Sequence, residues 1–140
     1  MLAELINIRR IDKAFSLASK SKDKEARDLC DKTYQMLKEG NLSVSPSVIE
    51  ALLLRSFLYM EDGDFVKARQ SSLAYLQHRK LINYFNKAEC AYMDRYMATV
   101  LWISHGRREK SCLLKIRNNL SKESGVIRPT TLARFFSPDD

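Results

Sequence analysis

The chain has 140 residues, of which 45% are hydrophobic and 29% charged, with only four glycines and three prolines. This length suits one domain with a hydrophobic core, and the composition excludes disordered, collagen-like and turn-rich β proteins, so long helices are expected. The net charge of +7 is compatible with an acidic partner or nucleic acid, but a solvated basic face explains it more simply.

The chain shows no sign of export or membrane insertion. No run of 18 apolar residues occurs, and in residues 1–10 the basic residues follow the apolar ones, the reverse of a secretory signal. A soluble, cytoplasmic protein is therefore expected. Cys30, Cys90 and Cys112 lack metal-ligand spacing and predict reduced thiols rather than disulfides or a zinc site.

The N-terminal part predicts two amphipathic helices. Apolar residues recur with a period near 3.6 over residues 2–18, around much of the helix circumference. The polar residues 19–22 break this pattern, and a second helix is expected over residues 23–39, ending at Gly40. Residues 40–46 then form a loop inside the domain.

Helices 3 and 4 are expected to form an antiparallel hairpin. Ser45 and Pro46 offer an N-cap and a first-turn proline, so helix 3 should run from there to about residue 61. A tight turn at Asp62-Gly63 leads into helix 4, over about residues 64–80.

Packing within this hairpin is predicted from side-chain size. Ser56 and Ala68 are small and stand where the two helices would cross closely. Contacts between the helices are assigned to four larger apolar residues, Leu52, Tyr59, Phe65 and Leu76. Ser71, Ser72 and Gln70 leave one side of helix 4 polar.

Two further helices are predicted, over about residues 86–104 and 107–120. Residues 122–140 follow as a tail in which a glycine and two prolines prevent one long helix. We therefore expect a helical-repeat domain over residues 1–121, and a tail that caps its open end or regulates access to a binding surface.

An internal repeat connects the three predicted hairpins. Their turns align at Ser21, Gly63 and Gly106, which are 42 and 43 residues apart. This spacing falls in the range of armadillo and HEAT repeats, about 40–47 residues. It predicts an all-α protein of three stacked antiparallel hairpins with six main helices, and a closed six-helix bundle is the alternative fold.

The second hairpin carries a recognisable pattern. Ser56 is followed three positions later by Tyr59, then by Gly63-Asp64-Phe65, and Ala68 comes three residues after the phenylalanine. In this pattern the stretch 49–76 resembles a tetratricopeptide repeat, and its neighbours resemble one weakly. The resemblance implies a tetratricopeptide-like α-solenoid in which the first helix of each hairpin lines a concave groove.

Helical periodicity then selects the residues of that groove. The apolar side chains on the groove side of helices 1, 3 and 5 are Ile8, Ile11, Phe15, Leu53, Phe57, Met60, Met93, Tyr96, Val100 and Ile103. They predict a site for an amphipathic helix of a protein partner, or of a second copy of the chain in a homodimer. The same side chains could instead form the core of a closed bundle.

The C-terminal quarter is disproportionately basic. Residues 107–140 carry eight Lys and Arg against four Asp and Glu, whereas residues 1–106 carry sixteen against thirteen. The outward-facing cations of helix 6 form a basic patch of Arg107, Arg108, Lys110, Lys115 and Arg117. They support an alternative function, contact with nucleic acid or an acidic partner, although no helix-turn-helix pattern is visible.

No catalytic motif was found. Nucleotide-binding, metalloprotease and nucleophile-elbow patterns do not occur, and the two histidines, His78 and His105, lie near predicted helix ends with no sequence neighbour that suggests a triad. We expect no enzyme activity, no cofactor and no bound metal. The sequence favours a protein–protein interaction scaffold, a chaperone or an adaptor.

Overall fold

The computed structural model describes residues 2–81 and, beyond them, residues 87, 93, 94, 97 and 100. The described part is all-helical, and its helices are α1 Leu2–Ser19, α2 Asp23–Lys38, α3 Pro46–Asp62 and α4 Phe65–His78, followed by a 3-10 turn at Arg79–Leu81. Predicted helices 1 to 4 are confirmed, each within two residues of its expected bounds. Helix 5 is described at five positions, all helical. Helix 6 and the tail lie outside the described residues.

The third helix, α3, is the centre of the described fold. Pro46 occupies its first turn after an extended Ser45, and every residue from Ser47 to Met60 except Glu50 is buried. A helix that is apolar around its whole circumference needs cover on every side. Accordingly α1, α2 and α4 all pack against α3.

The two hairpin turns share one hydrogen-bond pattern, displaced by 42 residues. At the first turn Ser21 has φ 64°, and the following N–H donates to the Leu17 carbonyl at 2.9 Å. At the second turn Gly63 has φ 81°, and the following N–H donates to the Tyr59 carbonyl at 2.9 Å. These are equivalent Schellman-type helix ends. The predicted register therefore holds for the first two hairpins.

Because one turn has serine where the other has glycine, substitutions should act in opposite directions. Gly63→Ala is expected to lower the free energy of unfolding by about 1 kcal/mol, the cost of a left-handed alanine. The cost is conformational, since an added Cβ would meet no atom within 4 Å. Ser21→Gly should raise stability by a few tenths of a kcal/mol. Urea unfolding followed by far-UV circular dichroism measures both, and shifts of the same sign would contradict the equivalence.

The buried face of α4 consists of small residues and one tyrosine. Its buried residues are Ala68, Ser71, Ser72 and Tyr75. By contrast Val66, Leu73 and Leu76 are 70%, 49% and 41% exposed. The predicted contact through Leu76 is therefore wrong, and the polar side of the helix faces inward.

Hydrogen bonds explain this orientation of α4. Arg55 on α3 is buried and donates through Nη1 to the Lys67 carbonyl at 3.0 Å and to Ser71 Oγ at 2.8 Å. Ser72 Oγ lies 3.4 Å from the Met97 sulfur. A buried guanidinium without these acceptors would be costly, so polar pairing outweighs the burial of two leucines.

A second polar cluster joins the two hairpins near the start of α3. Asn7 is fully buried, and its Nδ2 donates to Ser47 Oγ at 2.9 Å. Its Oδ1 accepts from Thr33 Oγ1 and from Arg10 Nη1, the latter at 3.1 Å. These bonds connect α1, α2 and α3, and they set the register between the two hairpins.

Candidate functional site

The side chains predicted to line the concave groove are mostly buried. Seven are at most 2% exposed and belong to one hydrophobic core: Ile11, Phe15, Leu53, Phe57, Met60, Met93 and Val100. Ile8 is 40% exposed, and Tyr96 and Ile103 lie outside the described residues. A partner reaches the buried seven only after the core opens, so peptide binding at this surface stays a prediction.

An open cleft lies instead between α2 and α4. Both helices pack against α3, and the cleft, of about 420 Å³, opens between their C-terminal halves. Its lining consists of Tyr34, Leu37 and Lys38 from α2 and Gln70, Leu73, Ala74, Gln77 and His78 from α4. Tyrosine, leucine and alanine supply apolar walls, and the long polar side chains form a rim. This mixture suits a site for an apolar group with a polar flank.

Arg55 ties the two walls of the cleft together. Its Nε lies 2.8 Å from Asp31 Oδ1 on α2, and its guanidinium carbon lies 4.1 Å from the centroid of the Tyr34 ring. Its Nη2 lies 3.5 Å from Gln70 Oε1 on α4. Because Tyr34 and Gln70 both line the cleft, this one side chain sets the distance between the helices there.

The protonation states of Tyr59 and Cys30, the titratable groups beside Arg55, favour a structural role for this cluster. The Tyr59 hydroxyl donates to Asp31 Oδ2, and burial together with that hydrogen bond raises the pKa of Tyr59. Burial, and then the charge of Asp31, raises the pKa of the Cys30 thiol. Both groups stay protonated at neutral pH, so neither provides an anionic nucleophile.

The C-terminal end of the cleft is polar and cationic. Lys38 closes α2, and Lys80 follows α4 in the 3-10 turn. His78 lines the cleft, and its Nδ1 is buried without a hydrogen-bond partner. Nearby, Arg79 Nε pairs with Asp94 Oδ1 at 2.7 Å. An unsatisfied buried nitrogen is unusual in a folded protein, and here it lies at the end of an open cleft.

The remaining predictions are only partly covered by the described residues. The basic patch of Arg107, Arg108, Lys110, Lys115 and Arg117 lies outside the described residues. Among the described residues, no group of three or more His, Cys, Asp and Glu is placed to hold a metal ion. None of the described helices has the length and apolar character to cross a membrane.

The cleft was not predicted, although the sequence of α4 contains a signal for its exposed apolar side. Val66 and Leu73 are seven residues apart and Leu76 follows three later, so they lie along one side of α4. The small residues Ala68 and Ser71 lie across the helix from Val66 and Leu73. Ala68 was correctly assigned to the helix crossing, and extending that buried face to Ser71 would have left Val66 and Leu73 on the exposed side.

The chain matches no protein-family model, no curated protein and no solved structure. The resemblance of residues 49–76 to a tetratricopeptide repeat therefore stays a prediction.

Proposed function

We propose that this chain is a non-enzymatic protein–protein interaction module, a chaperone or adaptor, that binds an apolar segment of another protein. The observation that carries the proposal is the orientation of α4, whose small polar face packs on α3 while Leu73 borders an open cleft. A protein that leaves apolar side chains beside a preformed cleft has a surface that a partner can cover.

The free energy available from the exposed apolar side chains of α4 indicates which surfaces a partner must contact. Covering the exposed fractions of Val66, Leu73 and Leu76 would contribute roughly 3 kcal/mol, at ~1.5–3 kcal/mol for each complete side chain. Association itself costs at least about 4 kcal/mol, so contact with these three side chains alone does not give stable binding. Since a cavity of about 150 Å³ accommodates a benzene-sized group, the cleft has room for about two or three apolar side chains. A partner must therefore enter the cleft as well as cover these three side chains.

The proposal includes the wider architecture. We infer that the stacking continues through residue 121 as three tetratricopeptide-like hairpins, with residues 122–140 capping the array or controlling access. The 42-residue equivalence of the first two turns supports this, as do the buried positions Met93, Met97 and Val100, whose spacing fits one helix face. We place the module in the cytoplasm, where the free thiol of Cys30 would stay reduced.

Photo-cross-linking tests the module and its site together. A photoreactive amino acid at Gln77, an exposed residue that lines the cleft, should give a discrete protein adduct in an extract of the source cells. The same group at Leu5, an exposed residue of α1, should not give this adduct. The adduct should survive nuclease treatment and disappear when Leu73→Glu is added to the chain.

Two outcomes would contradict the proposal. Identical adducts at Gln77 and Leu5 would show that capture does not depend on the cleft. An adduct formed with nucleic acid alone would favour the alternative function, contact through the basic C-terminal patch.

A further inference from the structure

The segment that contains α4 is cationic, although its residues in the cleft lining are neutral or apolar apart from His78. Residues 65–81 contain four cations and no Asp or Glu: Lys67, Arg69, Arg79 and Lys80. Across the cleft, α2 ends with Lys38, which also lines it. Within the described part of the chain, Arg79 pairs with Asp94, whereas Lys38, Arg69 and Lys80 form no ion pair. Lys38 therefore adds positive charge to the apolar lining of the cleft, Arg69 and Lys80 flank that lining on the α4 side, and none of the three has a described carboxylate partner.

The ends of the two helices define a direction for a ligand. Lys38 is the last residue of α2 and His78 the last of α4, so both C-termini lie at the same end of the cleft. Helix C-termini carry partial negative charge, and the first turn of a helix favours Asp and Glu. A helix that enters antiparallel to α2 and α4 would place its own N-terminal turn beside this end. Carboxylates in that turn would face Lys38 and Lys80.

We propose that the cleft binds an acidic amphipathic helix of a partner protein, antiparallel to α2 and α4. Its apolar side chains pack against Leu37 and Leu73, and carboxylates of its first turn lie beside Lys38 and Lys80. This inference rests on the proposed function and names the chemistry of the partner.

The positive charge and the apolar lining of the cleft favour an acidic helix over two other candidate partners, a second copy of the chain and nucleic acid. A second copy that presented its own α4 would bring the same four cations, and like charges across an interface repel. Nucleic acid would use the cations but would leave Leu37 and Leu73 without apolar contact, because its affinity comes mainly from phosphates. A carboxylate-bearing amphipathic helix uses both features of the cleft.

Peptide selection on the full chain tests the proposal. A displayed library of random helical peptides is selected on the wild-type chain and counter-selected on Leu73→Gln, which removes the apolar side chain without adding a charge that would itself favour acidic peptides. Recovered peptides should carry apolar residues at i, i+3 or i+4 and i+7, with Asp or Glu in the first turn. In fluorescence anisotropy with a recovered peptide, the double variant K38E/K80E should weaken binding about tenfold or more, and raising salt from about 50 to 200 mM should weaken it by less.

Matched controls separate loss of the site from loss of the fold. Leu5→Gln makes the same substitution at an equally exposed leucine on α1, outside the cleft lining, and should change the affinity less than about twofold. Urea unfolding of each variant should give midpoints close to that of the wild type, since Lys38 and Lys80 are exposed and Leu73 is half-exposed.

The outcomes distinguish the two proposals. If no recovered peptide depends on Leu73, the interaction module itself fails at this site. If peptides depend on Leu73 but are neutral or basic, or are insensitive to K38E/K80E, the module stands and the acidic partner is overturned. Self-association that occludes the cleft, or a short RNA that binds independently of Leu73, overturns it as well.

Discussion

Replacing Arg55 by methionine is expected to lower the free energy of unfolding by about 3 kcal/mol. The Arg55 side chain is 5% exposed and pairs with Asp31, and its loss would remove the guanidinium donor from that carboxylate, the Lys67 carbonyl and Ser71. Asp31 would keep only the Tyr59 hydroxyl as a described side-chain donor, and the Lys67 carbonyl would keep the Ser71 hydroxyl. Because the Asp31 side chain is 34% exposed, water compensates part of the loss. We therefore expect the lower end of the range for a broken buried pair. Urea unfolding with an unchanged m-value measures the effect.

Two comparisons make the result specific to the buried arginine. Arg69→Met, at an exposed position of α4, should change stability by no more than about 0.5 kcal/mol. Arg55→Lys keeps the charge but loses the planar fork and the stacking on Tyr34, and should cost about 1–2 kcal/mol. If Arg55→Met costs as little as Arg69→Met, this side chain does not hold the three helices together.

Replacing Phe57 by alanine is expected to cost about 3–5 kcal/mol, the usual loss for a buried phenylalanine. Phe57 is 2% exposed and belongs to the hydrophobic core. The position is informative because the predicted concave groove includes it. Thermal and urea unfolding both report the loss, and the variant should remain helical at low temperature if the remaining stability is sufficient.

Ile8→Ala is the matched control from the same predicted groove. Ile8 is exposed on α1, so its truncation should cost less than about 1 kcal/mol. If the groove were open in solution, both substitutions would instead lower the free energy of unfolding only slightly. Comparable small losses at Phe57 and Ile8 would therefore show that the groove is open, and a large difference would show that its deeper part is core.

Local sequence features were sufficient to locate the first four helices. A first-turn proline at Pro46 starts α3, Gly63 takes the left-handed conformation that ends it, and Asp64 caps α4 by accepting a hydrogen bond from the Lys67 N–H at 3.1 Å. These effects act within one or two turns of the chain, so the order of residues contains them. The 42-residue register between the hairpins could also be predicted from local sequence, because equivalent turns recur at equivalent positions.

Tertiary structure alone decided which side of α4 faces inward, and with it the candidate site. Amphipathicity assigned Leu76 to the hairpin contact. In the structure α4 instead buries its serines, because Arg55 on α3 needs hydrogen-bond acceptors inside the fold and Ser71, 16 residues away, is one of them. Asn7 likewise finds Ser47 across 40 residues. Helical periodicity gives the position of a polar residue on the helix surface but not its partner. The energy of a buried polar group depends on that partner, so only the packed helices determine the orientation of α4 and the position of the cleft.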